Sequence, residues 1–300
     1  MPHLTIWLVL LSILIPRAVG AFSFEDLRHI DLSRVSETLH DGGEIFHSLR
    51  KGVSDLTLEE EYYIGRSVTA RILRDYKPVY NSSIQEYLDR VGGYLALYSR
   101  RPETFAGYHF QLFAADEVNA FSAPGGFILI STGLYRQIKT EDQLAAVLAH
   151  EIAHVTLRHG LKAIQKSNLT QAFTLIGERA LTKNGQQDRL EQLNKLTSVF
   201  ATSVDDIIQQ LVISGYSREQ ELDADREALA TLHRSGYNSQ GLSTFLQQLE
   251  QQSGRGGFYA THPSATQRLQ GLKRQLAVNS QSGLGQQAIR DRRFQEHLLP

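Results

Sequence analysis

The sequence predicts an α+β fold, mostly α-helical, with a small β-sheet beside a helix that carries two histidines. Three observations predict it. Thr57 with Glu60, Ser82 with Gln85, Thr140 with Gln143 and Ser217 with Gln220 each place a hydroxyl three residues ahead of Glu or Gln, the signature of a capped helix start. Between the second and third of these pairs, Tyr108 to Ala114 switches to the two-residue alternation of a strand, and Val118 to Ser131 reads as strand, turn, strand. Directly after that switch comes His150-Glu151-Ile152-Ala153-His154, whose histidines share one helical face a turn apart.

Taken in order, Leu58 to about Tyr76 has helical periodicity and stops before Pro78. A second helix should run from Ser82 to about Arg100, although Gly92-Gly93 weakens it by about 1 kcal/mol per glycine relative to alanine. Tyr108 to Ala114 reads as a strand, and Val118 to Ala123, Pro124-Gly125-Gly126 and Phe127 to Ser131 as strand, turn, strand. A helix from Glu141 to Arg158 follows, with Gly160 as its stop and an inward stripe of Leu144, Leu148, Ile152 and Val155. Residues 161–216 are helical in pattern with a loop near Asn184-Gly185, and either pack on the core or form a hairpin over a cleft. Arg218 to Arg234 is helical and closed by Gly236, and Ser239 to Gln252 is helical again. A glycine-rich loop at 253–257 and Thr261-His262-Pro263-Ser264 lead into a last helix to about Ala277, and 279–300 reads as a loosely attached tail.

Composition narrows the chemistry. With 41% apolar and 21% charged residues in 300, the chain is ordinary for a globular protein, and a formal charge of -1 with no long basic run argues against nucleic acid as a partner. The absence of cysteine removes disulfides, thiolate metal sites and a cysteine nucleophile together, so any metal must be held by His and carboxylate. Leu4 to Ile15 is an apolar run too short to span a bilayer, followed by Pro16-Arg17 and small residues to Ala21. Residues 1–21 therefore read as a signal peptide cleaved near Gly20 or Ala21, with an uncleaved anchor as the alternative, since only His3 and the amino terminus supply positive charge. The mature chain is expected to be soluble, not integral to the membrane, in an exported compartment such as a bacterial periplasm. The domain plan is then 1–21 signal peptide, 22–56 N-terminal extension, 57–278 catalytic domain and 279–300 tail.

The HExxH spacing lets His150 and His154 grip one zinc while Glu151, about 100° round the helix, stands beside the ion as general base. A catalytic zinc takes three protein ligands and keeps a fourth position for water. The metzincin arrangement does not fit, because Leu157 stands where its Gly belongs and Gly160 where its third His belongs; His159, one position early, reads as a helix-end donor, with a metal ligand as the minor alternative. A downstream carboxylate remains. Glu221 and Asp225 are spaced i, i+4, so that one reaches the metal and the other accepts a hydrogen bond from a ligand histidine. Spacing alone leaves Glu219 beside Glu221 as the ligand, with Asp223 facing elsewhere and Glu219 and Glu227 otherwise read as solvated. A strand edge beside a metal helix offers backbone groups onto which an extended peptide adds as one more strand, with Asn119, Ala120 and Phe121 as the candidates and a plain hairpin as the bland reading.

HEIAH, the stretch Gly215-Tyr216-Ser217-Arg218-Glu219-Gln220-Glu221-Leu222-Asp223-Ala224-Asp225, Asn119 to Gly126 with Thr132-Gly133-Leu134, and His262-Pro263 with Arg268 occur in one order over about residues 55–275. Together they resemble the gluzincin metallopeptidase family of the CAAX prenyl protease, the HtpX heat-shock protease and the soluble periplasmic BepA-like proteases. The resemblance implies a zincin-like catalytic domain, one zinc per subunit, Glu221 as third ligand and Asp225 behind it. It also implies a zinc endopeptidase acting on polypeptide substrates, including misfolded or stalled envelope proteins, outer-membrane proteins or their assembly machinery. The chain lacks the transmembrane helices of the prenyl-protease and HtpX relatives, and is too short after residue 275 for the tetratricopeptide repeats of BepA-like ones. Arg218 and His262 are the candidate donors to a developing oxyanion, Arg218 equally a structural ion-pair residue and His262 alternatively a fourth ligand that holds the enzyme idle. The competing reading is a periplasmic chaperone-like binding module with a latent zinc site, which would have no use for Glu151.

Overall fold

The computed structural model describes residues 56–163, 201–251, 261–262, 265–278 and 286–299. The expected signal peptide and nearly all of the N-terminal extension, the loop at 253–257 and residues 164–200 lie outside the described residues.

Helix α1 (Leu58–Asp75) opens on the full Thr57–Glu60 capping box. Helix α2 (Ser82–Leu97) is capped by Asn81 instead of Ser82, its side chain accepting from the Ile84 amide at 3.1 Å. That leaves Gln85 free to donate to the Phe110 carbonyl at 2.6 Å, tying α2 to the sheet. Gly92, expected only to weaken this helix, has a packing reason: a Cβ there would lie 2.3 Å from the Phe110 ring.

The sheet has strands β1 (His109–Phe113), β2 (Ala120–Ala123) and β3 (Phe127–Ser131) in the order β1-β3-β2, with β3 parallel to β1 and antiparallel to β2. The β2–β3 turn is Pro124–Gly126, where Gly125 takes φ 74° and a side chain would meet the α1 backbone at Tyr62, 2.7 Å away. The unbroken apolar run of β3 is buried on both faces. Ile128 and Ile130 face a core shared with α2 and the HExxH helix, whereas Phe127 and Leu129 face a second core with Val68 and Ile72 of α1 and Leu211.

A short α3 (Thr132–Gln137) leads to α4 (Glu141–Thr156), buried at every position from Glu141 to Val155. Thr140 caps α4 as expected, accepting from the Gln143 amide at 3.2 Å, but Gln143 reaches back to the Lys139 amide and not to Thr140. The α4 stop also differs from expectation. The helix ends at Thr156, and the left-handed residue is Arg158 (φ 57°), not Gly160. Arg158 tolerates this because its guanidinium is anchored 2.5 Å from Glu61 of α1 and 3.1 Å from the Leu56 carbonyl just before that helix. Residues 201–208 are helical and continue into a π-helical turn, Gln209–Ser214.

Helix α5 (Arg218–Ser235) starts at the complete Ser217–Gln220 box, ends at left-handed Gly236 and lies along α4. Helices α6 (Gln240–Gln251) and α7 (Ala265–Val278) follow. The expectation of a loose tail fails over residues 286–299. They include α8 (Gln287–Gln295), which buries Phe294 and pairs Arg290 with Asp142 and Arg293 with Glu141 at the start of α4. A polar composition concealed one aromatic anchor, one buried ion pair and one half-buried ion pair. No helix among the described residues is long and apolar enough to cross a membrane.

Candidate active site

Helix α4 and helix α5 bring the predicted residues together. His150 and His154 sit one turn apart with their Nε2 atoms 3.1 Å from each other. Glu221 of α5 faces both, Oε2 3.4 Å from His150 Nε2 and Oε1 3.4 Å from His154 Nε2. His262, just ahead of α7, places Nδ1 2.9 Å from Glu221 Oε1. One ligand atom from each of these four residues lies within 4.8 Å of all the others. All four are buried, as is Glu151.

These separations fit a metal. Ligand atoms about 2.0–2.1 Å from a tetrahedral zinc stand about 3.3–3.4 Å from one another. Charge points the same way: buried Glu151, Glu221 and Asp225 bring three negative charges and buried Arg268 one positive, an imbalance that a divalent cation cancels. Both carboxylate oxygens of Glu151 are buried without a hydrogen-bond partner, which a group beside the metal position would need as a proton acceptor. The nearest ion-pair atom to it is His262 Nε2 at 3.9 Å.

Behind the histidines stand further residues. Asp225 Oδ1 is 2.9 Å from His150 Nδ1, the nitrogen that faces away from the metal position. Arg268 grips Asp225 through two hydrogen bonds and reaches Glu221 Oε2 at 3.4 Å. Tyr216 stacks on the His154 ring, centroids 3.9 Å apart. His159 meets His154 from the far side, Nδ1 to Nδ1 at 3.0 Å.

The two histidines titrate in opposite directions. Burial and the nearby Arg268 oppose a charge on His150, but its hydrogen bonds to Asp225 and Glu221 prevail and raise it to about 9. His154 is lowered to about 3, first by burial. Burial opposes ionisation of Asp225, yet Arg268 and His150 hold it down at about 2, and His262 and Arg268 likewise keep Glu221 well below the usual carboxylate range. One proton on His150 thus stands in for part of the missing positive charge.

Residues 82–276, well over half of the chain, match the model of peptidase family M48. The chain belongs to peptidase family M48. Among curated relatives, this M48 chain is 30% identical to the beta-barrel assembly-enhancing protease of Escherichia coli K12 over 221 residues, 72% of the chain and 44% of that protein. It is 27% identical to metalloprotease LoiP of the same organism over 173 residues, covering 57% of the chain and 64% of that protein. It is 26% identical to mitochondrial metalloendopeptidase OMA1 of Schizosaccharomyces pombe over 162 residues, 53% of the chain and 43% of that protein. The chain thus spans less than half the length of the beta-barrel assembly-enhancing protease it matches.

The remaining expectations divide. Glu221 and not Glu219 faces the histidines; Glu219 is exposed in the first turn of α5. Glu227 is not solvated but buried, paired with Arg100 at 2.8 Å and Arg234 at 2.9 Å. Arg218 is exposed at the first position of α5, and the guanidinium among the cluster is that of Arg268. Asn119, Ala120 and Phe121 lie at the outer strand β2, all buried, and Asn119 Oδ1 accepts from the Ala120 amide and from Thr261 Oγ1. Sequence reasoning missed Tyr216 and the inward direction of His159. Nothing local could signal either, since both follow from how the chain turns after a helix.

Proposed function

We propose that the chain is a zinc-dependent endopeptidase, with His150, His154 and Glu221 as ligands to one zinc ion per subunit and Glu151 as general base. The observation that carries this is the convergence of two histidine Nε2 atoms 3.1 Å apart on the Glu221 carboxylate, each nitrogen 3.4 Å from one of its oxygens, with an unpartnered buried carboxylate next to them. Zinc, when bound, supplies Lewis acidity toward the scissile carbonyl and lowers the pKa of water. Glu151 then accepts the proton of the attacking water and returns it to the departing amine nitrogen as the peptide C–N bond breaks. Asp225 fixes the His150 ring through Nδ1, and Arg268 holds Asp225 ionised. An extended substrate adding to β2 at Asn119, Ala120 and Phe121 would bring its carbonyl toward α4, once the burial of that strand is relieved.

His262 is the proposed gate: bonded to Glu221 and 3.9 Å from Glu151, it stands where a fourth ligand would hold the site idle, and its displacement by substrate would free the position. It is equally placed to donate to the oxyanion after displacement. The substrate class proposed is misfolded or stalled exported protein in the periplasm, outer-membrane proteins and their assembly machinery among them. Support comes from the name of the beta-barrel assembly-enhancing protease and from the apolar run at residues 4–15. Incubating the protein with unfolded polypeptide, before and after chelation and after zinc return, tests the reading. Cleavage that chelation abolishes and zinc restores supports it; cleavage indifferent to chelator, or binding without cleavage in every sample, contradicts it and favours a chaperone-like binding module.

A further inference from the structure

Helix α4 ends two residues after His154, yet the chain does not leave the site. Leu157 caps the helix, Arg158 turns into the left-handed region, and the His159 amide donates back to the His154 carbonyl at 3.0 Å. Left-handed backbone at a non-glycine residue is strained and persists only where surrounding contacts enforce it. Here the enforcement comes from α1 and the residues just before it: Glu61 and the Leu56 carbonyl hold the Arg158 guanidinium, and Arg101 braces Glu61 at 2.7 Å. The result of this turn is that His159, 1% exposed, is folded under the HExxH helix with Nδ1 3.0 Å from Nδ1 of His154.

We infer that His159 is a positioning residue for His154, doing through its Nδ1 what Asp225 does for His150. The inference rests on the metal reading above. His154 directs Nε2 toward His150 Nε2 at 3.1 Å and the Glu221 carboxylate at 3.4 Å, so as a ligand through that nitrogen it carries its proton on Nδ1. Among the described residues that proton has one partner at hydrogen-bond distance, His159 Nδ1, which must accept; the His159 proton is then on Nε2. A neutral imidazole stands behind one metal histidine and a carboxylate behind the other. His154 is therefore the less basic of the two ligands, and its ring is clamped between the His159 hydrogen bond and the stacked Tyr216.

The test reads metal binding and protonation, not cleavage. In His159→Phe, which removes the acceptor while keeping a ring, zinc affinity measured by chelator competition should fall about 10–100-fold, the usual cost of losing such a partner. His159→Gln, whose amide oxygen accepts, should recover most of the loss, and the visible bands of the cobalt-substituted protein should shift in the Phe variant and return in the Gln variant. Nitrogen-resolved NMR of wild-type zinc-loaded protein needs no variant to fold: it should show a protected proton on His154 Nδ1 and none on His159 Nδ1. An Nδ1 proton on His159, or a folded Phe variant with wild-type zinc affinity and cobalt spectrum, would overturn the inference while leaving the peptidase reading standing. A wild-type protein that binds no zinc would overturn both.

Discussion

Arg268 lies flat against Asp225, Nη2 2.6 Å from Oδ1 and Nε 2.8 Å from Oδ2, with both side chains buried. Asp225 in turn takes the Nδ1 side of His150 at 2.9 Å. The order α7, α5, α4 is thereby written in one chain of contacts ending at the metal position. Removing the cation strands a buried carboxylate. Arg268→Ala is expected to cost about 3–5 kcal/mol in denaturant unfolding, and Arg268→Lys to recover little, because a lysine cannot reproduce the planar two-bond grip.

The pH dependence of the metal-free protein follows from the opposed histidines. His150, raised to about 9, contributes stability that is fully present below about pH 6.5 and is lost as pH rises through about 9. His154 and His159, each lowered to about 3 with burial as the leading cause, and His109, lowered to about 4 by burial, contribute stability that is lost as pH falls below about 6.5. Thermal stability with chelator should therefore be greatest near neutrality and fall on both sides. With zinc in place of the His150 proton, the alkaline decline between pH 7 and 9 should vanish; its persistence with zinc would count against His150 as a ligand.

Helix α8 is a structural part of the catalytic domain. Phe294 is fully buried against Tyr87 and Tyr135, and Arg293 and two tyrosine hydroxyls, Tyr87 and Tyr237, converge on Glu141 at the start of α4. Phe294→Ala should lower unfolding stability by about 3–5 kcal/mol. A loss below about 0.5 kcal/mol, ordinary for an exposed tail, would show that the helix does not pack.

His262→Ala removes the contact to Glu221 without touching the three proposed ligands. If His262 holds the site idle, the variant should keep its zinc, change the visible spectrum of the cobalt form and raise resting cleavage of an unfolded substrate. Unchanged coordination and unchanged resting activity would rule out the gate.

Much of this was legible from sequence because it is local. The Thr57 and Ser217 capping boxes, the strand at Phe127 to Ser131 and the i, i+4 pairs His150/His154 and Glu221/Asp225 are all set by neighbours within five residues, and the structure reproduces each. What escaped depends on distant partners. Glu227 reads as a solvated charge until Arg100, from beyond α2, reaches it. Arg158 reads as a helix residue until Glu61 holds it left-handed, and only that turn sends His159 inward. Gly92 reads as a weakness until Phe110 occupies the space where its side chain would be.

The central claim is that Glu151 performs proton transfer beside a zinc held by His150, His154 and Glu221. Its most direct test is the cleavage rate of an unfolded polypeptide by wild type and Glu151→Gln, both verified to hold one zinc per chain. The account predicts full zinc occupancy in the variant with cleavage reduced by at least about 100-fold, the lower end for loss of a general base. Equal cleavage by the two zinc-loaded proteins would contradict it.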